Sequence, residues 1–282
     1  MRDSYYENKV AVVTGAGGTL CSEIAIDLAK KGAKVVLIGR TEEKLQKTAD
    51  KISECGGEYM IKACDVTNEE DMQRIAEEVM AAWGPCSFLI NGAGGNNIQA
   101  MTSETVYQDG DTDVKNEDKR TFFNLDMKMY ESVLNINTTG TVIACRVYGK
   151  QMVNNGGGAI INFGSMNSYC PLTRVPAYAM SKAAIVNFTQ WAAAYLAPAN
   201  IRVNAIAPGF FVNERSINYL GSPEIGLTPR GQSVINHTPM ERFGQAKDLL
   251  GCVNWLLDDR ASSFVTGITV PVDGGFLSRS GV

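Results

Sequence analysis

Lys9-Val10-Ala11-Val12-Val13-Thr14-Gly15-Ala16-Gly17-Gly18-Thr19-Leu20-Cys21-Ser22 is the stretch whose reading decides the fold. Residues 9–13 are apolar from Val10 onward, as a strand covered on both faces is. Gly15, Gly17 and Gly18 then break the strand, and a helix-compatible run follows over 22–31. A glycine-rich turn between a strand and a helix lets backbone N–H groups at the helix N-terminus approach a pyrophosphate. The stretch therefore predicts the first half of a βαβ unit with a dinucleotide site. Thr14, Gly15, Gly17, Gly18, Thr19 and Leu20 are its expected cradle.

Working outward, the same alternation repeats along the chain. Further strands are expected over 34–38, 58–63, 88–90, 159–163, 201–206 and 268–270, with helices over 44–51, 68–83, 126–154 and 178–196 and a last one ending near 257. Thr41 suits a helix N-cap, and Met72, Ile75, Ala76, Val79 and Met80 give the 68–83 helix one apolar face. Strands alternating with helices imply a parallel sheet with helices on both faces. No repeat or linker divides the sequence. The expected architecture is α/β: a single-domain, doubly wound Rossmann fold of about seven strands spanning 1–282.

Three residues late in this pattern carry chemistry. Ser165 ends the fifth strand, Tyr178 follows thirteen residues later, and Lys182 lies four beyond the tyrosine. Four-residue spacing puts Tyr178 and Lys182 one turn apart on a single helix face. A free phenol has a pKa of about 10, and a neighbouring cation favours its ionised form. A hydroxyl, a phenol and an ammonium so arranged can polarise and protonate a carbonyl. Together with the glycine-rich turn, this run resembles the active site of the short-chain dehydrogenase/reductase family, over almost the whole chain.

The resemblance implies an NAD(P)-dependent oxidoreductase acting on CH–OH groups, with Asn137, Ser165, Tyr178 and Lys182 as catalytic residues. It places Asp65 and Val66 beside the adenine. Asn91, Gly92, Ala93 and Gly94 fall beside the ribose, and Tyr178, Lys182, Pro208, Gly209 and Phe211 around the nicotinamide, with Asn213 where a threonine commonly stands. Two motifs depart from the family pattern. In Thr-Gly-x-x-x-Gly-x-Gly the last two glycines are Thr19 and Cys21, and in Asn-Asn-Ala-Gly the second asparagine is Gly92. Cys21, being small, is expected to crowd its surroundings only slightly. Gly39 stands where an NAD enzyme carries an acid for the ribose hydroxyls, and Arg40 follows. An arginine there accommodates a 2′-phosphate, so NADP(H) is favoured; Arg40 stacked on the adenine would permit NAD(H). Thr19-Leu20-Cys21-Ser22, Ser165-Met166-Asn167, Ala207-Pro208-Gly209-Phe210-Phe211, His237-Thr238-Pro239-Met240 and Ser280-Gly281-Val282 narrow the resemblance. They are similar to the branch that interconverts D-fructuronate and D-mannonate.

The insertion 96–123 is acidic, with Glu104, Asp109, Asp111, Asp113, Glu117 and Asp118. It reads either as a solvated surface loop or as a cap over the substrate cleft, rooted at Asn96 and Asn97. Asn167, Arg174 and His237 complete the candidate substrate contacts, Arg174 as a bidentate partner for a carboxylate or simply a solvated arginine. The segment 213–240 is expected to be a mobile substrate loop. A sugar acid suits these polar groups; reduction of another sugar, polyol or keto acid, and a non-catalytic dinucleotide-binding redox sensor, are the alternatives.

Composition narrows the partners. Net charge is −4 with no long basic run, which argues against nucleic acid. No window is apolar enough for a membrane span, and the N-terminus lacks a signal-peptide core. Seven scattered cysteines suit reduced thiols in a cytoplasmic protein. One histidine leaves no basis for a His-rich metal site, so no metal is expected. By resemblance the helices over 126–154 and 178–196 pack between copies of the chain in a homo-oligomer, tetramer or dimer. Ala144, Ala183, Ala184, Ala192, Ala193 and Ala194 would permit that close approach, or face the sheet.

Overall fold

The computed structural model describes residues 3–113, 119–212, 216–222 and 225–279. Val10 to Thr14 is buried along its whole length, so both of its faces need cover, and the chain supplies it by crossing from one strand to the next through helices. The strands are β1 Val10–Thr14, β2 Lys34–Gly39, β3 Glu58–Ala63, β4 Cys86–Asn91, β5 Gly158–Phe163, β6 Ile201–Pro208, β7 Gly221–Ser222, β8 Gly226–Leu227 and β9 Thr269–Val272. The helices are α1 Thr19–Lys30, α2 Glu42–Glu54, α3 Glu69–Trp83, α4 Met127–Asn137, α5 Thr139–Asn154, α6 Pro176–Leu196, α7 Ile217–Leu220, α8 Pro229–His237, α9 Leu250–Leu257 and α10 Asp259–Ser262.

Seven strands form one sheet in the order β3-β2-β1-β4-β5-β6-β9, every pair parallel. This is the doubly wound α/β arrangement expected. On one face Ile24, Leu28, Leu45, Ile52 and Leu256 from α1, α2 and α9 close the core. On the other, Met72, Ile75, Val79, Tyr148 and Met152 from α3 and α5 do so. Strand order reverses between β1 and β4, and such a switch point leaves a crevice at the carboxyl ends of the strands, where ligands bind.

One expected element is two. The helix over 126–154 breaks at Thr138, whose φ and ψ are −107° and −67°. The Thr138 hydroxyl donates to the Leu134 carbonyl at 2.6 Å, a back-bond of the kind that bends helices. The break leaves Asn137 at the last turn of α4, aimed at the crevice.

The insertion is built rather than loose where the structure describes it. The Lys119 ammonium pairs with the Asp111 carboxylate at 2.5 Å and holds it below the usual carboxylate range. The Arg120 amide donates to the Ser103 hydroxyl at 3.0 Å, and the Thr102 amide donates to the Arg174 carbonyl at 3.0 Å. Glu117 and Asp118 lie outside the described residues, as does Ser280-Gly281-Val282. All seven cysteines are free. Among the described residues, no helix is long and apolar enough to cross a membrane, and no cluster of ligating side chains could hold a metal ion.

Candidate active site

The first wall is the N-terminus of α1. Its N-cap is Gly18, with no side-chain cap and no acid in the first turn, so the amides of that turn face outward with the positive end of the helix dipole behind them. They open onto a cleft of about 630 Å³ lined by Gly15, Gly17, Gly18, Thr19 and Leu20 and, further along, by Arg40, Asp65 and Val66. Gly92, Ala93 and Gly94 form the opposite side. An inner cleft of about 270 Å³ continues it through the shared walls Leu20, Gly92, Gly94 and Phe163, and adds Ser165, Tyr178, Lys182, Pro208, Gly209 and Phe211. Amide donors in the middle, cations at one end and a phenol at the other fit a dinucleotide laid along the trough.

At the inner end, β5 delivers Ser165 and α6 delivers Tyr178 and Lys182. The two elements are bolted together by Ser168, whose hydroxyl accepts from the Ser165 amide at 3.2 Å and donates to the Lys182 carbonyl at 2.7 Å. The Ser165 hydroxyl accepts from the Asn167 amide at 3.2 Å and faces its side-chain Nδ2 at 3.5 Å. Lys182 Nζ donates to the Phe163 carbonyl at 2.7 Å and stands 5.6 Å from the centre of the Tyr178 ring. Asn137 grips Gly95 at both ends, accepting from its amide at 3.1 Å and donating to its carbonyl at 2.7 Å. A side chain on Gly94 would run into Asn137 Oδ1 and come within 3.7 Å of Lys182 Nζ, so these three positions converge on one point.

The electrostatics correct one expectation. The sequence suggests a phenol acidified by the adjacent ammonium. Here burial raises the Tyr178 pKa, with only the Ser165 hydrogen bond opposing it. Lys182 spends its hydrogen bond on Phe163 and is itself pushed by burial down to about 8. With the catalytic role that the family resemblance implies for Lys182, its deprotonation would remove the cation beside Tyr178, so kcat/KM for carbonyl reduction is expected to fall as pH rises through about 8. Lys182→Arg, which does not titrate there, should flatten that limb of a pH–rate profile. Stability runs the other way. An unfolded lysine keeps its proton to 10.5, so between about 8 and 10.5 the unfolded chain binds more protons and folding strengthens as pH rises.

Several residues expected at the site act behind it. Thr14 does not line the trough; its hydroxyl accepts from the Gly92 and Ala93 amides, each at 3.1 Å, and so fixes the β4 turn. Asn91 points into the core, its amide donating to Asn162 Oδ1 at 2.9 Å and to Cys145 Sγ at 3.2 Å, because Asn162 and Thr189 offer a buried polar ladder there. Asn97 caps the short turn after it, accepting from the Gln99 amide at 2.9 Å, while Asn96 is exposed and accepts from the Asn97 amide. Asn167 holds Ser165 and accepts from the Leu172 amide at 2.8 Å. Arg174 donates from Nε to the Thr102 carbonyl at 2.8 Å, and His237 is exposed in the last turn of α8, its Nδ1 2.7 Å from the Ser233 carbonyl. Asn213 lies outside the described residues. Lys44, Lys47 and Lys51, missing from the sequence reading, line the outer cleft; their three- and four-residue spacing on α2 was the available signal.

Two of the three departures from the family motifs, Cys21 and Gly92, turn out to be one. A side-chain Cβ on residue 92 would come within 2.0 Å of Cys21 Sγ. The sulfur fills the space a second asparagine would need, so Cys21 crowds its neighbour decisively rather than slightly.

Residues 9–218 match the model of the short chain dehydrogenases. The chain belongs to that family and is an oxidoreductase that acts on CH–OH groups with a nicotinamide dinucleotide. Among its relatives, an uncharacterized oxidoreductase of Bacillus subtilis, UxuB, is 43% identical and covers 97% of this chain and 96% of its own. A solved structure from Haemophilus influenza, provisionally described as a D-mannonate oxidoreductase and containing NAD, superposes with a TM-score of 0.91 at 42% identity, covering 98% of this chain and 97% of that one. Another, provisionally described as an NAD(P)-dependent gluconate 5-dehydrogenase from Beutenbergia cavernae and containing NADP at low occupancy, gives 0.80 at 29%, covering 97% and 98%.

Proposed function

We propose that this enzyme reduces a keto sugar acid to its hydroxy acid, D-fructuronate to D-mannonate, with NADP(H). The observation that carries the reading is the trough that ends where the Tyr178 phenol and the Ser165 hydroxyl meet. In the reduction Tyr178 Oη gives its proton to the substrate carbonyl oxygen. The Ser165 hydroxyl donates to the same oxygen as negative charge develops there. Lys182 steadies the tyrosinate left behind, and Asn137 beside it opens a path for that proton to be replaced through solvent. The bound dinucleotide supplies the hydride from C4 of its nicotinamide. The Haemophilus structure's description supports the mannonate substrate, and the gluconate 5-dehydrogenase supports a second reading, reduction of a gluconate-type 5-keto acid. A redox sensor without turnover is disfavoured because both Tyr178 and Lys182 are present. Purified protein given reduced cofactor and a panel of D-fructuronate, 5-keto-D-gluconate and neutral ketoses should show its highest kcat/KM on D-fructuronate. Preference for 5-keto-D-gluconate selects the second reading, and tight cofactor binding with no turnover on any selects the sensor.

The cofactor preference is supported by charge. Arg40 is exposed at the rim, 4.0 Å from Asp65, and Lys44, Lys47 and Lys51 stand nearby, Asp65 being the one acid among the lining residues. A 2′-phosphate would meet these cations, and hydrogen bonds to charged groups contribute about 1.5–3 kcal/mol each. NADPH is expected to beat NADH by roughly 10- to 100-fold in kcat/KM, and Arg40→Asp to reverse the order. Equal use of both cofactors by the wild type would count against it. Assembly of copies through α6 is supported by its exposed stripe of Met180, Trp191 and Tyr195, with Trp191 and Tyr195 stacked at 5.1 Å. Ala183, Ala184 and Ala194 are exposed on the same helix, whereas Ala144, Ala192 and Ala193 are buried against the sheet.

A further inference from the structure

Ser165 enters the site just after β5 and Lys182 from α6, and the connection between them runs out to the surface at Tyr169, Cys170 and Pro171. Chain continuity therefore does not set the spacing of the two side chains. Among the described residues, three hydrogen bonds hold β5 and the short turn Met166–Ser168 to α6. Asn162 Nδ2 donates to the Thr189 hydroxyl at 2.9 Å, two turns beyond Lys182 and away from the lining of the inner cleft. Lys182 Nζ donates to the Phe163 carbonyl at 2.7 Å. The third is the Ser168 hydroxyl, which donates to the Lys182 carbonyl at 2.7 Å while accepting from the Ser165 amide at 3.2 Å.

The Ser168 bond differs from the other two. The Phe163 bond occupies the ammonium, the group that has to answer charge on Tyr178, and the Asn162 bond fixes only the buried part of the strand. Ser168 joins the backbone of one site residue to the backbone of another without engaging a reacting atom. Ser165 Oγ keeps its hydrogen bond with the Tyr178 phenol, and Lys182 Nζ keeps its place 5.6 Å from the centre of that ring. Gly164 leaves room for the bridge. A Cβ there would lie 3.3 Å from Ser168 Oγ and 3.3 Å from the Ile206 carbonyl oxygen, closer than ordinary contact.

Resting on the reading above, in which Ser165, Tyr178 and Lys182 carry the reduction, we propose that Ser168 is a positioning residue for it: its hydroxyl holds Ser165 in register with Lys182 and so sets where Ser165 Oγ and Tyr178 Oη meet the substrate oxygen. Ser168→Ala removes this tie alone. The Ser168 amide still donates to the Ser165 carbonyl at 2.9 Å, so the turn keeps its backbone bond. The Lys182 carbonyl, inside α6, keeps the helical amide four residues on. Ser165 loses its register with α6, and a misplacement of about 1 Å costs on the order of 100-fold in rate.

The test compares wild type, Ser168→Ala, Ser168→Thr and Tyr178→Phe by single-turnover reduction of D-fructuronate and of 5-keto-D-gluconate, with NADPH and with NADH. Rates are taken per cofactor-binding site, counted by fluorescence titration. Ser168→Ala should lower the rate per site roughly 10- to 100-fold and leave cofactor affinity within about twofold. Ser168→Thr, which keeps the hydroxyl, should recover most of the loss. A Ser168→Ala rate per site within about twofold of wild type, with Tyr178→Phe inactive, overturns the role of Ser168 alone. A loss confined to the number of cofactor sites, or equal in Ser168→Ala and Ser168→Thr, makes the tie merely structural and overturns that role too. A Tyr178→Phe enzyme that keeps most of its rate, or a wild type that reduces neither acid, overturns the reading of the site and the role of Ser168 together.

Discussion

Tyr178→Phe is expected to lower kcat for carbonyl reduction by about 1,000-fold, within the range of roughly 100- to 10,000-fold that positioned acids contribute. The substitution removes one oxygen and keeps the ring, which packs beside Ala100, Val133 and Ala177. Stability and the walls of the trough should therefore survive. Loss of Oη removes both the proton delivered to the substrate and the hydrogen-bond partner of Ser165. Dinucleotide affinity, measured by titration, should stay within about twofold, so that the loss falls on the chemical step. Single-turnover rates at saturating cofactor separate the two. A variant that keeps more than about a tenth of the wild-type rate would place the proton donor elsewhere.

The second large effect is expected at Gly92. A methyl group on residue 92 would come within 2.0 Å of Cys21 Sγ, and overpacking of this kind costs about 1–3 kcal/mol. The turn cannot relax cheaply, because Thr14 holds both the Gly92 and Ala93 amides. Displacement of that turn moves the wall against which the cofactor lies, so Gly92→Ala should also weaken NADPH binding, by roughly 10-fold for each 1.4 kcal/mol. Cys21→Ala removes the sulfur and leaves the added methyl 3.6 Å from the residue-21 Cβ, an ordinary contact, and 3.2 Å from the Thr14 carbonyl oxygen, a tight one that a shift of a few tenths of an ångström relieves. The double variant Cys21→Ala/Gly92→Ala should thus regain most of both losses. In a double-mutant cycle that recovery appears as a coupling term; strictly additive effects on denaturation midpoint and NADPH affinity would show that the sulfur is not what excludes a side chain from position 92.

What the sequence made legible was whatever depends on neighbours along the chain. The all-apolar run at Val10 announces a strand buried on both faces, and the interval from Tyr178 to Lys182 is set by helix geometry alone. Both were readable without knowing what packs where. The break at Thr138 was not, because in sequence a threonine whose hydroxyl bonds back to the preceding turn looks like any other helical threonine. Thr14 and Asn91 sit in motifs expected to border the cofactor, yet their side chains turn inward toward partners 70 or more positions away, at Gly92, Ala93 and Asn162. The Tyr178 environment failed for a related reason. Spacing tells which cation is near the phenol, but the sign of the shift is set by how deeply both are buried and by the Phe163 carbonyl that occupies the ammonium. Cys21 and Gly92 each read as a small departure from a pattern, and only their meeting in space makes them a single exchange.

The most direct test is a crystal structure of the enzyme with NADPH and D-mannonate, a complex that cannot turn over. The expected result places one substrate hydroxyl oxygen within roughly 2.6–3.2 Å of both Tyr178 Oη and Ser165 Oγ, with its carbon against the nicotinamide. A ligand bound with that oxygen away from Tyr178, or a Tyr178 phenol turned from the trough, would contradict it.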